Sequence, residues 1–150
     1  MIFISHRGNI TGPNPPDENK IGYIEEALKK NYDVEIDVWW YEKDWWLGHD
    51  KPQHKTTLNF LKQDGIWCHA KNVGALKEML KKNVHCFWHQ EDKVTLTSLN
   101  YVWAYPGNQP IKDSIAVMPE LYSDEIFCCK GVCSDFIKRY RDEFQEMVYG

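Results

Sequence analysis

Glu35 and Asp37 lie two residues apart in the run Val34 to Trp40 (VEIDVWW), alternating with Val34, Ile36 and Val38. Successive side chains on a strand point to opposite faces, so both carboxylates share one face and the apolar residues take the other. Two neighbouring carboxylates on a buried strand are costly unless a cation or basic side chains neutralise them. A divalent metal with oxygen ligands would do so, and so would Arg7 and Lys71. The basic and imidazole residues fall at matching places. His6 and Arg7 follow the short apolar run Ile2 to Ser5, His69 and Lys71 end the run from Ile66, and His89, Gln90 and Glu91 end Val84 to Trp88. His49 and Asp50 follow Trp45-Trp46-Leu47. In parallel α/β folds ligands collect at the carboxyl ends of strands, so these residues are expected to converge on one face.

Each residue also has a structural reading. His6 or His49 alone would serve as an ordinary hydrogen-bonded or solvated histidine, and Glu35 with Asp37 as an ion-pair cluster. Trp39, Trp40, Trp45 and Trp46 read first as core or hairpin packing, since aromatic residues favour strands. Lys29-Lys30 and Lys81-Lys82 fall at helix ends, where cations complement the helix dipole, and His54 and His85 are assigned no role.

The elements that would position these residues follow from pattern. Strands are expected at Ile2 to Ser5, Val34 to Trp40, Ile66 to Ala70, Val84 to Trp88, Tyr101 to Tyr105, Ile115 to Met118 and Lys130 to Ser134. Gly12, Pro13, Pro15 and Pro16 make a loop of residues 8–19. Asp17 or Asn19 can cap the helix that follows, with Ile21, Ile24, Leu28 and Tyr32 on one face. Val73, Leu76, Met79 and Leu80 mark a second helix, and Phe136, Ile137, Tyr140, Phe144 and Met147 a closing one. Strands separated by crossovers favour a parallel α/β sheet, although residues 91–113 show no helix pattern. Any barrel would be short and irregular.

Composition bounds the rest. A chain of 150 residues with 43% apolar content is expected to form one domain over residues 1–150. Its net charge of −4 argues against broad attraction to nucleic acid. No apolar run approaches the roughly 20 residues of a membrane span, and the first run reaches His6-Arg7 too soon for a signal peptide, so a cytoplasmic protein is expected. The five cysteines cannot all pair within the chain. They read as free thiols used as small apolar residues, with a metal site at Cys128, Cys129, Cys133 and a histidine as the sharper alternative.

His6-Arg7-Gly8-Asn9, Glu18-Asn19, a helix, Glu35-Ile36-Asp37-Val38, a Trp-rich stretch and Gly48-His49-Asp50 occur in that order. This linked set resembles the amino-terminal half of the glycerophosphodiester phosphodiesterase family, in the phospholipase-C-like phosphodiesterase superfamily. Trp103 and Gly131-Val132-Cys133-Ser134-Asp135 are similar, more weakly, to its later strands. The resemblance implies a TIM-type (β/α) barrel, here small and irregular with several helices missing or shortened, because such barrels typically run about 250 residues. It implies phosphodiester cleavage with one divalent cation, magnesium or calcium. By position, His6 and His49 would be the acid/base pair, Arg7 and Lys71 would hold the phosphate, and Glu35 and Asp37 would bind the metal. The family places a further glutamate ligand two residues before the lysine, where this chain has His69. Imidazole there brings manganese or zinc into consideration.

Residue chemistry agrees. A phosphodiester needs its anionic oxygens neutralised, and a pair of imidazoles with pKa near 6.5 can take one proton and give another near neutral pH. The expectation is a hydrolase acting on glycerophosphodiesters or related phospholipid-derived small molecules. The alternative is a non-catalytic module that keeps the cleft and binds a phosphorylated or sugar ligand.

Overall fold

The computed structural model describes residues 1–150. Ten strands and four helices follow one another in the order β1 (Ile2–His6), α1 (Ile21–Lys29), β2 (Asp33–Tyr41), β3 (Asp44–Leu47), β4 (His54–Thr56), α2 (Leu58–Leu61), β5 (Ile66–Ala70), α3 (Val73–Lys81), β6 (Cys86–Phe87), β7 (Val94–Leu96), β8 (Val102–Ala104), β9 (Ile115–Val117), β10 (Gly131–Ser134) and α4 (Ile137–Tyr149). All strands belong to one sheet. Its parallel part runs β6-β5-β2-β1-β10-β9-β8. Antiparallel strands extend it at two places: β3 and β4 fold back along the end of β2, and β7 pairs with β8. No helix of the chain is long and apolar enough to cross a membrane.

The two faces of the sheet carry different cores. Val34, Ile36 and Val38 of β2, with Ile66, Cys68 and Ala70 of β5, pack outward against Ile24 and Ala27 of α1, Ala75 and Met79 of α3, and Ile137 and Tyr140 of α4. On the inner face, Ile4, Trp67, Phe87, Trp103, Ile115, Val117 and Cys133 form a second cluster. Trp103 on β8 touches Phe87 on β6, with ring centres 4.6 Å apart, and Trp67 on β5 at 5.8 Å. These residues come from opposite ends of the parallel run, so the sheet curls until its ends meet side chain to side chain. No strand ladder closes the seam. Instead the Ser98 N–H donates to the Cys86 carbonyl at 2.8 Å, and the Cys86 N–H donates to Ser98 Oγ at 2.9 Å.

Several local expectations are corrected. Neither Asp17 nor Asn19 caps α1; the capping position is Lys20, with no side-chain bond, because Asn19 is turned inward to hold Asp37. The expected strand Val84 to Trp88 shortens to two residues, where His85 and Ser98 divert its pairing to side chains. Strand Tyr101 to Tyr105 shortens to Val102–Ala104. Strands β4 and β7 and helix α2 had no clear pattern in sequence. The three carboxy-terminal cysteines form no metal site: Cys133 is buried in the inner cluster, whereas Cys129 bonds Gln109 and Ser114. All five thiols are free.

Gly48 is the hinge between β3 and the His49 loop. Its φ of +155° and the Lys51 carbonyl oxygen beside its Cα leave no room for a Cβ. The Gly48 N–H donates to the Asp37 carbonyl, and its own carbonyl accepts from Trp39 Nε1 at 2.6 Å. Gly48→Ala is therefore expected to destabilise the fold by about 1–3 kcal/mol and to shift His49. Chemical denaturation read by tryptophan fluorescence measures the first effect.

Candidate active site

Strand register sets the site. His6 stands beside Glu35 on β1 and β2, and Asp37 stands beside His69 on β2 and β5. All four face inward, with Glu35 level with Trp67 and His69 level with Phe87, on whose ring it stacks. The cleft they open, about 310 Å³, is lined by His6, Arg7, Glu35, His49, His69 and Lys71 among others. Asp37 lies beneath it, 1% exposed. His6, Arg7, Glu35, His49, His69 and Lys71 therefore line this cleft, with Asp37 directly under it, whereas the alternative cysteine set lies elsewhere.

His69 is fixed by two sets of partners. Its Nε2 lies 2.8 Å from the His89 carbonyl, which can only accept, so Nε2 carries the proton. Nδ1 therefore faces Asp37 Oδ1 at 3.4 Å and Glu35 Oε2 at 3.7 Å, ion contacts rather than hydrogen bonds. Burial opposes charge on this ring, but the two carboxylates outweigh it and raise its pKa to about 9. Asp37 is held well below the usual carboxylate range: burial would raise it, but His69, the Arg7 guanidinium and the Asn19 amide prevail. Arg7 Nε stands 3.1 Å from Asp37 Oδ2, and Asn19 Nδ2 donates to the same oxygen at 2.9 Å.

Glu35, Asp37 and His69 are the one group of three or more His, Cys, Asp or Glu side chains placed to share a cation, with ligand atoms within 4.8 Å of one another. Two buried oxygens there, Glu35 Oε1 and Asp37 Oδ1, have no hydrogen-bond partner. Ligands about 2.1–2.5 Å from a common ion stand roughly 3–4 Å apart, which the His69 contacts match. An imidazole that offers one nitrogen to a metal commonly donates its other N–H to a backbone carbonyl, as His69 does. The donor set thus fits a divalent cation.

The second assembly surrounds His6. Its Nδ1 lies 2.7 Å from Asp135 Oδ1, and its Nε2 looks towards Glu35 Oε1 at 3.9 Å. Burial lowers the His6 pKa, yet the Asp135 bond and the Glu35 charge reverse the sign and raise it. Asp135 is lowered in turn, its burial offset chiefly by His6. Asn9 Nδ2 reaches both Asp135 Oδ1 at 2.9 Å and Glu18 Oε2 at 3.0 Å, while Tyr23 donates to Asn9 Oδ1. Glu18 also takes Arg7 Nη1 at 3.3 Å. Arg7 and Asn19 need left-handed backbone, with φ of 59° and 65°, to turn both side chains towards Asp37.

His49 and Lys71 complete the rim. His49 is half-exposed, with Nδ1 2.8 Å from Asp50 Oδ1. The Lys71 backbone N–H is tied to the Val38 carbonyl at 2.8 Å, and its ammonium forms no ion pair. Sequence reasoning gave Asp135, Asn9, Glu18 and Asn19 no site role. Asp135 carries the same signal that marked the others, a polar residue just past a strand end. Comparison of the chain with protein-family models, curated proteins and solved structures finds no match. The functional reading therefore rests on this geometry.

Proposed function

We propose that the chain is a metal-assisted phosphodiester hydrolase of small molecules, built on an incomplete TIM-type barrel. The observation that carries this reading is the Glu35, Asp37 and His69 cluster, which keeps two buried carboxylate oxygens without a hydrogen-bond partner, Asp37 Oδ1 towards His69 and Glu35 Oε1 towards His6, in a cleft that also presents His49, Arg7 and Lys71. A structural ion-pair cluster has its charges satisfied internally; this one keeps unsatisfied acceptors and cations beside open space.

Glu35, Asp37 and His69 would hold the cation, which supplies charge neutralisation for the phosphate oxygens and for the developing alkoxide. Arg7 commits Nε to Asp37 and Nη1 to Glu18, so its Nη2 is left for a phosphate oxygen, with the Lys71 ammonium as a second positive contact. His6 donates Nδ1–H to Asp135, which leaves Nε2 to take a proton from the attacking hydroxyl or give one to the leaving oxygen. His49, tied through Nδ1 to Asp50, offers its Nε2 for the complementary transfer.

Calorimetric titration with magnesium, calcium, manganese and zinc, followed by a screen of each against glycerophosphodiesters and a chromogenic phosphodiester, tests this. One cation per chain is expected, with binding lost in Glu35→Ala and hydrolysis dependent on the bound ion. His69→Glu is expected to shift preference by about tenfold or more towards magnesium or calcium. Absence of cation binding overturns the metal assignment. Tight phosphodiester binding without turnover overturns the hydrolase reading in favour of a binding module.

A further inference from the structure

We propose, resting on that hydrolytic reading, that Glu18 is a positioning residue for the reaction. It does not touch the substrate; it fixes the plane of the Arg7 guanidinium that holds the phosphate.

Arg7 lines the cleft from left-handed backbone, φ 59°, on a long side chain that has to be held still to serve as a clamp. Two carboxylates flank it. Asp37 Oδ2 stands 3.1 Å from Nε, yet Nε makes no hydrogen bond, so the two charges touch without alignment. The one hydrogen bond of the guanidinium runs from Nη1 to Glu18 Oε1, at 3.3 Å. Charge contact alone leaves a guanidinium free to turn, whereas a directed N–H bond fixes its plane. Glu18 therefore sets the direction of Arg7, and Asp37 supplies only counter-charge.

Glu18 is itself braced. Its Oε2 accepts from the Asn14 backbone N–H at 2.7 Å and from Asn9 Nδ2 at 3.0 Å. Asn9 is fully buried, and the same amide group reaches Asp135 Oδ1, the oxygen that takes His6 Nδ1. One carboxylate thus ties the Arg7 clamp to the support of His6, across a loop that has neither helix nor strand. Glu18 is absent from the lining of the cleft, so it acts through Arg7. Charge by itself would have the opposite effect: a carboxylate near a phosphate repels it, and neutralising that carboxylate would tighten binding.

The test is Glu18→Gln, in buffer containing manganese. Two N–H donors meet Oε2 and one longer contact meets Oε1, so the glutamine carbonyl takes the Oε2 place and its amide group faces Nη1, donor to donor. Asn9 and Asn14 keep their bonds, and Arg7 alone is released. KM for bis(p-nitrophenyl) phosphate and the calorimetric Kd for inorganic phosphate are each expected to rise about tenfold, while kcat falls no more than about threefold. In the Arg7→Ala chain the same substitution is expected to change kcat/KM by less than about twofold. A KM and Kd unchanged or lowered in Glu18→Gln overturn the inference while hydrolysis stands. An effect that persists undiminished in the Arg7→Ala chain, with a lower urea midpoint in both backgrounds, also overturns it, because the residue then only supports the loop. Phosphate binding weakened as expected, with no hydrolysis by the unsubstituted chain, overturns the hydrolytic reading and keeps Glu18 as the holder of Arg7.

Discussion

Asp37→Ala is expected to lower stability by about 3–5 kcal/mol, the scale for removing one partner of a buried ion pair. The carboxylate receives Asn19 Nδ2 at 2.9 Å, faces Arg7 Nε at 3.1 Å and balances His69 Nδ1 at 3.4 Å, all beneath the cleft floor. Without it the guanidinium and the imidazolium lose their shared counter-charge, and Asn19 keeps only the bond that its Oδ1 accepts from the residue 37 backbone N–H. For a chain of this size such a loss moves the thermal midpoint by roughly 10 °C or more. Asp37→Asn keeps shape and one acceptor, and falls between. Glu35→Ala runs differently: that carboxylate touches only the two histidines, so its removal relieves crowding with Asp37 and costs less. Urea denaturation of the three variants gives the order. A cost below about 1 kcal/mol for Asp37→Ala would show that Arg7 and His69 repair the loss among themselves.

The largest effect on turnover is expected at His6. His6→Ala should reduce kcat by about 10²–10⁴-fold, the usual contribution of a positioned acid or base, beyond the stability it costs by leaving Asp135 without its imidazole partner. Asp135→Asn should act in the same direction but less strongly. Its amide can donate to Nδ1, moving the ring proton to Nε2 and leaving the base in the wrong tautomer. Steady-state kinetics on a chromogenic phosphodiester, with the bound metal content of each variant measured alongside, separates loss of proton transfer from loss of the ion. Full activity in His6→Ala would remove it from the chemistry.

Much of the site was legible because strand alternation is a local property. Glu35 and Asp37 share a face through period two alone, and His6, His69 and Lys71 could be placed at strand ends from short apolar runs. What sequence could not show was partnership over distance. His6 with Asp135 joins residues 129 apart in the chain, and Asn9 joins the same carboxylate from 126 away. Asn19 reads as a helix cap from its neighbours, yet a buried carboxylate outcompetes the helix terminus for its amide. The short antiparallel strands β4 and β7 owe their existence to adjacent edges rather than to their own residues, and the seam between β6 and Ser98 has no repeating pattern to read.

The inner aromatic cluster has a further consequence for traffic. Trp67, Phe87 and Trp103 are each no more than 3% exposed and fill the space under the polar residues from wall to wall. The cleft is therefore a dead end. A ligand that enters must leave by the same open side, where His49 and Lys71 form part of the rim, so one that lingers keeps others out.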